Sequence, residues 1–367
     1  LREGKQYLHL NEFAFKESVR LIKKGEAVLV DDGKVRMICT DIKGNEVICK
    51  VVNGGELKGR RGVNLPDSDL SISALTPKDK KDIDFGEKNN VDYVAFSFVR
   101  KASEAAELRK ILNKRGMQQT KIIAKIETPQ AVENFDEILE IVDGCMVARG
   151  DLAVEIPAHR VPLVQKMIIE KCNAAGKPVI TATQMLESMI KNPVPTRAEV
   201  SDVANAIYDG TDAVMLSEET TLGAYPIKAV EMMTNIALEV EKDERHQLLL
   251  SHPERLESDT LSKSIGSAAA HTAKSINAKY IVALTEFGNA AALASRQRVS
   301  VPIIAFTPNE KTNNQMCMYY GVYPVMIKEH KGFREAHEDA RQFLIKEKLV
   351  KKGDKIVIVS GTPFKGT

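Results

Sequence analysis

The chain has 367 residues, more than one ordinary hydrophobic core organises, so its length implies two or three domains. Hydrophobic residues make up 43% and charged residues 28%, which excludes disordered and fibrous classes and leaves a globular protein able to bury a core. The net charge of +2 arises from interleaved acids and bases with no long single-sign block, so neither nucleic acid nor a membrane is expected as a partner, and the cluster Lys78, Lys80 and Lys81 reads as a solvated face.

Residues 1 to about 62 form short alternating segments, 27–30, 35–40 and 47–52, punctuated by Asp31-Asp32-Gly33, Lys43-Gly44-Asn45 and Asn53-Gly54-Gly55. This is a small β module. From residue 63 short apolar runs (93–99, 122–126, 144–147, 178–182, 213–216) alternate with helical patterns (104–112, 131–141, 161–175, 197–208), and a further helix follows over 226–240. Such alternation implies a parallel sheet, either doubly wound or closed as a barrel, expected to run to residue 243. The polar stretch 242–261 breaks the rhythm. A second α/β unit then occupies the segment from 244 to 367, with helices at 264–277, 289–297 and 335–347 and strands at 280–284, 302–305 and 355–359.

The five cysteines (Cys39, Cys49, Cys145, Cys172, Cys317) lack C-x-x-C spacing, and their odd number without a secretion signal argues for reduced thiols in the cytoplasm. No apolar run approaches the roughly 20 residues that span a bilayer, and the N-terminal stretch has neither a signal peptide's apolar centre nor an Arg-rich transit pattern. The first residue is Leu1 rather than Met, so residues upstream are expected.

In a parallel α/β sheet, functional groups gather where strands end. Here the second run carries Lys125 and leads to Glu127, the third runs into Arg149-Gly150-Asp151, the fourth into Thr183-Gln184, and the fifth into Ser217-Glu218-Glu219. Lys125 and Glu127 share one side of their strand by period-two alternation. Glu127 and Asp151 together could hold one hard divalent cation; Mg²⁺ fits best, because no Cys or His cluster supplies a zinc site. A cation beside a fixed lysine charge suits an anionic substrate whose charge shifts, as in phosphoryl transfer or enolate formation. Gly150 lets neighbouring backbone N–H groups approach a phosphate or carboxylate closely. Read singly, each has a plain structural meaning: the Lys–Glu pair an ordinary ion pair, Arg149-Gly150-Asp151 a polar turn, Thr183 a satisfied loop hydroxyl. Their recurrence at consecutive strand ends is what argues for a site.

The blocks GVNLP (62–66), VDYVAFSFVRKASE (91–104), IIAKIE (122–127), GCMVARGDLAVEIP (144–157), ITATQMLESMIKNPVPTRAEVSDVANAI (180–207) and AVMLSEET (213–220) resemble the pyruvate kinase family, and IIAFTPNEKT (303–312), GVYPV (321–325) and VKKGD (350–354) extend the resemblance over essentially the whole chain. The resemblance implies phosphoryl transfer from phosphoenolpyruvate to ADP, giving pyruvate and ATP in glycolysis, by a cytoplasmic homotetramer. Lys125 matches the lysine that stabilises the phosphoryl transition state, and Glu127 and Asp151 match the Mg²⁺ ligands. Gly150, Asp151 and Thr183 match contacts to phosphoenolpyruvate, Thr183 and Ser217 match groups of the proton-delivery region, and Arg61 stands where the family usually has a nucleotide-binding lysine. The implied fold is a partial TIM (β/α)8 barrel, its last five strands, at 63–243, with a small β lid domain at 1–62 and a C-terminal α/β regulatory domain at 244–367.

Several positions depart from the family's pattern. Glu218 replaces a usual glycine beside the site, which implies some loss of backbone freedom; Thr128 replaces an asparagine and Ala153 a glycine. The first three barrel strands, with their phosphate-gripping arginine and the ligands of K⁺, are expected to be missing, which would leave open sheet edges and an inactive fragment. The loop Thr285-Glu286-Phe287-Gly288-Asn289 lacks the hydroxyl-rich, basic character of a sugar-phosphate grip, which argues against fructose 1,6-bisphosphate as an effector. Two other classes stay open on the residues alone: a Mg²⁺-dependent lyase or aldolase on a barrel, and a relative that binds without turnover.

Overall fold

The computed structural model describes residues 22–31, 33–44, 46–57, 62–68, 75–250, 260–330 and 332–361. They form three sheets. The first is antiparallel, in the order β3-β2-β1-β4, from β1 (Ala27–Val30), β2 (Val35–Lys43), β3 (Glu46–Asn53) and β4 (Val63–Asn64). Alternation along β2 turns Val35, Met37 and Cys39 into an apolar cluster with Val28, Val30 and Leu65, while Arg36 faces solvent. The β1–β2 turn needs left-handed backbone at Asp31 (φ +55°) and at Gly33 (φ +78°), where glycine removes the steric cost.

The second sheet runs β5 (Tyr93–Phe96), β6 (Lys121–Ile126), β7 (Gly144–Ala148), β8 (Val179–Ala182) and β9 (Ala213–Met215), all parallel and in chain order. The helices are α1 (Pro77–Lys88), α2 (Ala102–Lys114), α3 (Pro129–Glu133), α4 (Phe135–Ile141), α5 (Arg149–Glu155), α6 (Val161–Ala175), α7 (Arg197–Tyr208), α8 (Glu218–Thr221), α9 (Pro226–Lys242) and α10 (Glu244–Leu250). Because the strand order never reverses, right-handed crossovers place their helices on one face, as in a barrel wall and unlike a doubly wound sheet. Ile122, Ala124 and Ile126 pack on that face against Leu108, Leu112, Ile138 and Ile168. Ile123, Met146, Ile180 and Ala182 form a separate cluster on the other face, the side to which Lys125 belongs.

Three sequence readings change here. The run 93–99 ends as a strand at Phe96, because the chain reverses at Phe98 (φ +53°). The helix expected over 131–141 is two, broken at Asn134, whose side-chain amide donates to the Arg100 carbonyl (2.9 Å). Arg149-Gly150-Asp151 is not a polar turn but the first turn of α5.

The third sheet has the order β12-β11-β10-β13, all parallel, from β10 (Tyr280–Leu284), β11 (Ile303–Thr307), β12 (Val322–Met326) and β13 (Ile356–Ser360). Its order reverses between β11 and β13, so its helices α11 (Leu261–Ser275), α12 (Asn289–Ser295), α13 (Glu310–Met316) and α14 (Phe333–Lys346) cover both faces. This unit is tied to the barrel wall by polar groups. Arg298 and Asp212, 2% and 4% exposed, pair through two contacts of 2.6 and 2.7 Å. The same carboxylate accepts the amides of Val179 (3.0 Å) and Tyr320 (3.1 Å), and the Arg298 guanidinium lies over the Tyr320 ring. Gln315 donates to the carbonyls of Asp92 and Gln119, and its own carbonyl accepts from the Tyr93 hydroxyl.

Candidate active site

The site is built at the C-terminal ends of β6 to β9. Period-two alternation carries Lys125 and Glu127 to one side, and their charged groups meet: Lys125 Nζ lies 2.6 Å from Glu127 Oε1. The ammonium also donates to Ser97 Oγ (3.0 Å), and the Phe98 amide donates to Glu127 Oε2 (2.7 Å). Glu127 is fully buried, whereas the Lys125 side chain keeps 24% of its exposure, so the cation faces the open side of the pair. Burial pushes the Glu127 carboxyl up; the ammonium and the Phe98 amide pull it back down, and the charge of Asp151 adds to the rise. Ser97 and Phe98 escaped the sequence reading, because their arrival depends on the reversal at Phe98.

Asp151 sits in the first turn of α5, the helix that follows β7, and β7 pairs with the strand that leads to Glu127. Among the described residues no group of three or more His, Cys, Asp or Glu side chains gathers. The two carboxylates named from the sequence are linked through charge, Asp151 raising Glu127, a repulsion that a cation between them would relieve. That fits a hard ion completing its shell with water and substrate oxygens.

Thr183 and Gly150 come together: the Gly150 amide donates to Thr183 Oγ1 (2.7 Å). A Cβ built on Gly150 would lie 3.5–3.7 Å from Thr183, in ordinary contact, so this glycine relieves no clash within the protein. Thr183 (φ +71°) and Gln184 (φ +52°) both hold left-handed backbone, which costs roughly 1–3 kcal/mol each and persists only where surroundings enforce it. Arg149 enforces it, donating to the carbonyls of Thr183 (2.7 Å) and Ala182 (3.3 Å) while paired with Asp202 (2.7 Å). Its clamping role was not legible in the sequence.

Ser217 lies one strand further on, at the end of β9. Its amide donates to buried Glu219 (2.7 Å), whose other oxygen accepts from the Leu186 amide (3.1 Å), so one carboxylate joins the ends of β8 and β9. Glu218, expected to cost backbone freedom, is exposed at the first position of α8 with no positive φ. A helix start needs no glycine and favours an acid. Arg61 and Asp32 lie outside the described residues.

The antiparallel sheet reaches this site through β4. Asn64 Nδ2 donates to Glu155 Oε1 (2.6 Å) on α5, and a Cβ on Gly33 would touch Val154 (3.6 Å). Burial raises the Glu155 carboxyl, the Asn64 bond lowers it, and Asp151 and Asp67 raise it again. A carboxyl whose folded value is raised binds its proton more tightly when folded. Its contribution is therefore full below the ordinary Glu value of about 4.3 and is lost as pH rises through the raised value. Glu155→Gln keeps an acceptor for Asn64 and removes that titration, so thermal melts of the variant are expected to lose the downward drift in Tm just above pH ~4.3 shown by the parent. Parallel curves for the two proteins would remove this account of Glu155.

A parallel barrel wall carrying its polar groups at the strand ends, an antiparallel lid-like sheet beside it and a doubly wound α/β unit behind it define a multidomain barrel enzyme class. The chain belongs to the pyruvate kinase family: residues 5–230 match the family's barrel domain ("Pyruvate kinase, barrel domain") and residues 263–367 its "alpha/beta domain". It is 47% identical over 358 residues to a pyruvate kinase of Staphylococcus haemolyticus, covering 96% of this chain and 61% of that protein. Against that of Clostridium acetobutylicum it is 43% identical over 350 residues (95% and 74%), and against that of Bacillus licheniformis 46% over 342 residues (93% and 58%). The chain thus spans about three fifths of the length of the first of these relatives. Among the described residues no helix is long and apolar enough to cross a membrane.

Proposed function

We propose that the protein carrying this chain is a pyruvate kinase, transferring the phosphoryl group of phosphoenolpyruvate to ADP to give ATP and pyruvate. The observation that carries this reading is the corner formed by Lys125, Glu127 and Asp151: a partly exposed ammonium held 2.6 Å from a buried carboxylate, with a second carboxylate, in the first turn of the helix after the next strand, whose charge raises the first. Lys125 sets a fixed positive charge where charge moves onto the transferring group. Glu127 and Asp151 would hold Mg²⁺, which when bound polarises phosphoryl oxygens. Gly150, Asp151 and Thr183 bind and orient phosphoenolpyruvate, and the Gly150 amide, used by Thr183 Oγ1 in this structure, is shared with or released to the substrate.

Thr183, on its clamped left-handed turn, and Ser217 belong to proton delivery toward the enolate carbon, and Arg61 contacts the nucleotide. The three sheets support a division into lid, barrel and regulatory units near residues 62 and 243. K⁺, a homotetramer and a cytoplasmic place in glycolysis are part of the same reading.

The test is pyruvate release from phosphoenolpyruvate and ADP by the intact protein with Mg²⁺, together with Mn²⁺ titration followed by water-proton relaxation. Glu127→Gln is expected to weaken Mn²⁺ binding by at least the 10–100-fold typical of losing even an outer partner. Absence of pyruvate from the parent overturns the activity; unchanged Mn²⁺ affinity in the variant overturns the metal assignment.

A further inference from the structure

Strands β2 and β3 place Cys39 directly opposite Cys49. Which kind of antiparallel pair this is follows from the neighbouring strand. The Cys39 amide donates to the Glu26 carbonyl (2.9 Å), and its carbonyl accepts from the Gly25 amide (2.8 Å), so both its backbone groups point to the β1 side. None is left toward β3. Cys39 and Cys49 therefore form a non-hydrogen-bonded pair, the kind whose Cα atoms lie about 4.5 Å apart with side chains closest. That separation falls within the roughly 4.4–6.8 Å that a disulfide bridges. Both side chains turn to the same face, where Cys39, 1% exposed, belongs to the apolar cluster and half-buried Cys49 packs against it. Both are free thiols here.

The geometry points to a reversible cross-strand disulfide between Cys39 and Cys49, a redox-modification site that fastens β2 to β3 in the antiparallel sheet. The oxidant is a low-molecular-weight disulfide, RSSR. Half-buried Cys49 is the accessible sulfur: its thiolate attacks one sulfur of RSSR, forming a Cys49–S–S–R bond and breaking the R–S–S–R bond. The departing RS⁻ takes up a proton. Cys39, after giving its proton to solvent, attacks the Cys49 sulfur and expels the second RS⁻, which is protonated in turn. The two thiols lose two electrons, RSSR gains them, and two RSH leave.

The local electrostatics set the rate. Burial, with the neighbouring Cys39 thiol, pushes Cys49 up to about 11. Burial likewise raises Cys39, with Glu26 and the Asp41 charge adding to the rise and a backbone hydrogen bond at Asp41 and the charge of Lys24 opposing it. Only the thiolate attacks, so exchange accelerates as pH rises toward that range. The site thus responds to sustained oxidising conditions, not to brief ones. The buried thiols Cys145 and Cys172 also lie side by side, but neither is exposed, so neither can start such an exchange.

The test treats the folded protein with oxidised glutathione at mildly alkaline pH, quenches with acid, alkylates and maps peptides by mass spectrometry. The expected result is a Cys39–Cys49 linked peptide, reversed by reduced glutathione and formed about tenfold faster per pH unit below the Cys49 value. Cys39→Ser is expected to leave Cys49 carrying the glutathionyl group, and Cys49→Ser to leave Cys39 unmodified. Exposed Cys317 reports that the oxidant acted. Glutathionyl-Cys49 persisting in the parent, or Cys317 modified while Cys39 and Cys49 stay reduced, overturns the proposal, and the parent alone decides it.

Discussion

Replacing Lys125 with Met in the intact protein is expected to lower kcat by about 10³-fold while leaving the fold in place, because a preorganised charge aimed at developing charge is commonly worth 10²–10³. Methionine matches much of the aliphatic length of lysine, and the Lys125 side chain takes no part in the sheet's backbone pairing with Met146. What disappears is the ammonium between Ser97 Oγ and Glu127 Oε1. Its loss acts twice. The transferring group loses a positive partner, and buried Glu127 loses the charge that most opposes its upward shift. A Glu127 that takes up a proton is a poorer cation ligand, so Mn²⁺ affinity is expected to fall together with kcat. Lys125→Arg restores the charge but not its compact geometry and should recover only part of the rate. Steady-state kinetics, circular dichroism and metal titration read these effects separately. Full activity in Lys125→Met would remove Lys125 from the mechanism.

Asp212→Ala is expected to destabilise the protein by about 3–5 kcal/mol, the range for breaking one side of a buried ion pair. The Asp212 carboxylate holds both Arg298 contacts and accepts the Val179 and Tyr320 amides, so its removal leaves a buried guanidinium and two backbone donors without that acceptor. Since Val179 begins β8 and Tyr320 precedes β12, the damage falls on the seam between the barrel wall and the α/β unit. Urea unfolding should then show two separated transitions. Adding Arg298→Met should recover much of the loss, because the stranded charge is the larger penalty. A single variant costing under about 1 kcal/mol would mean that the seam is held by its apolar contacts.

How far the site was legible follows from the range of the interactions. The Lys125–Glu127 pair could be read because two residues on one strand share a face by local geometry alone. Gly150 and Thr183 were each visible at a strand end, but their contact is set by the parallel register of β7 and β8. Arg149 stood at a strand end with no role of its own, since only the folded loop shows that its guanidinium reaches the Thr183 carbonyl. Asp212 sat unmarked in a Gly-Thr-Asp turn, because its partners Arg298 and Tyr320 are 86 and 108 residues away. The cysteines give the sharpest contrast: counting them yields five unpaired thiols, whereas the β2–β3 register sets Cys39 against Cys49.

By itself, then, the sequence determined the family, the alternation of strands and helices, and the placement of Lys125 and Glu127 on one side of their strand. Local periodicity and strand-end position are encoded within a few residues, and the family blocks are contiguous. Only the tertiary structure decided the reversal that brings Ser97 and Phe98 to Glu127, the clamp on the left-handed turn at Thr183, the buried seam at Asp212 and the opposed cysteines. Each of these depends on register or approach between segments distant in the chain, where the burial that gives an interaction its strength exists only after folding.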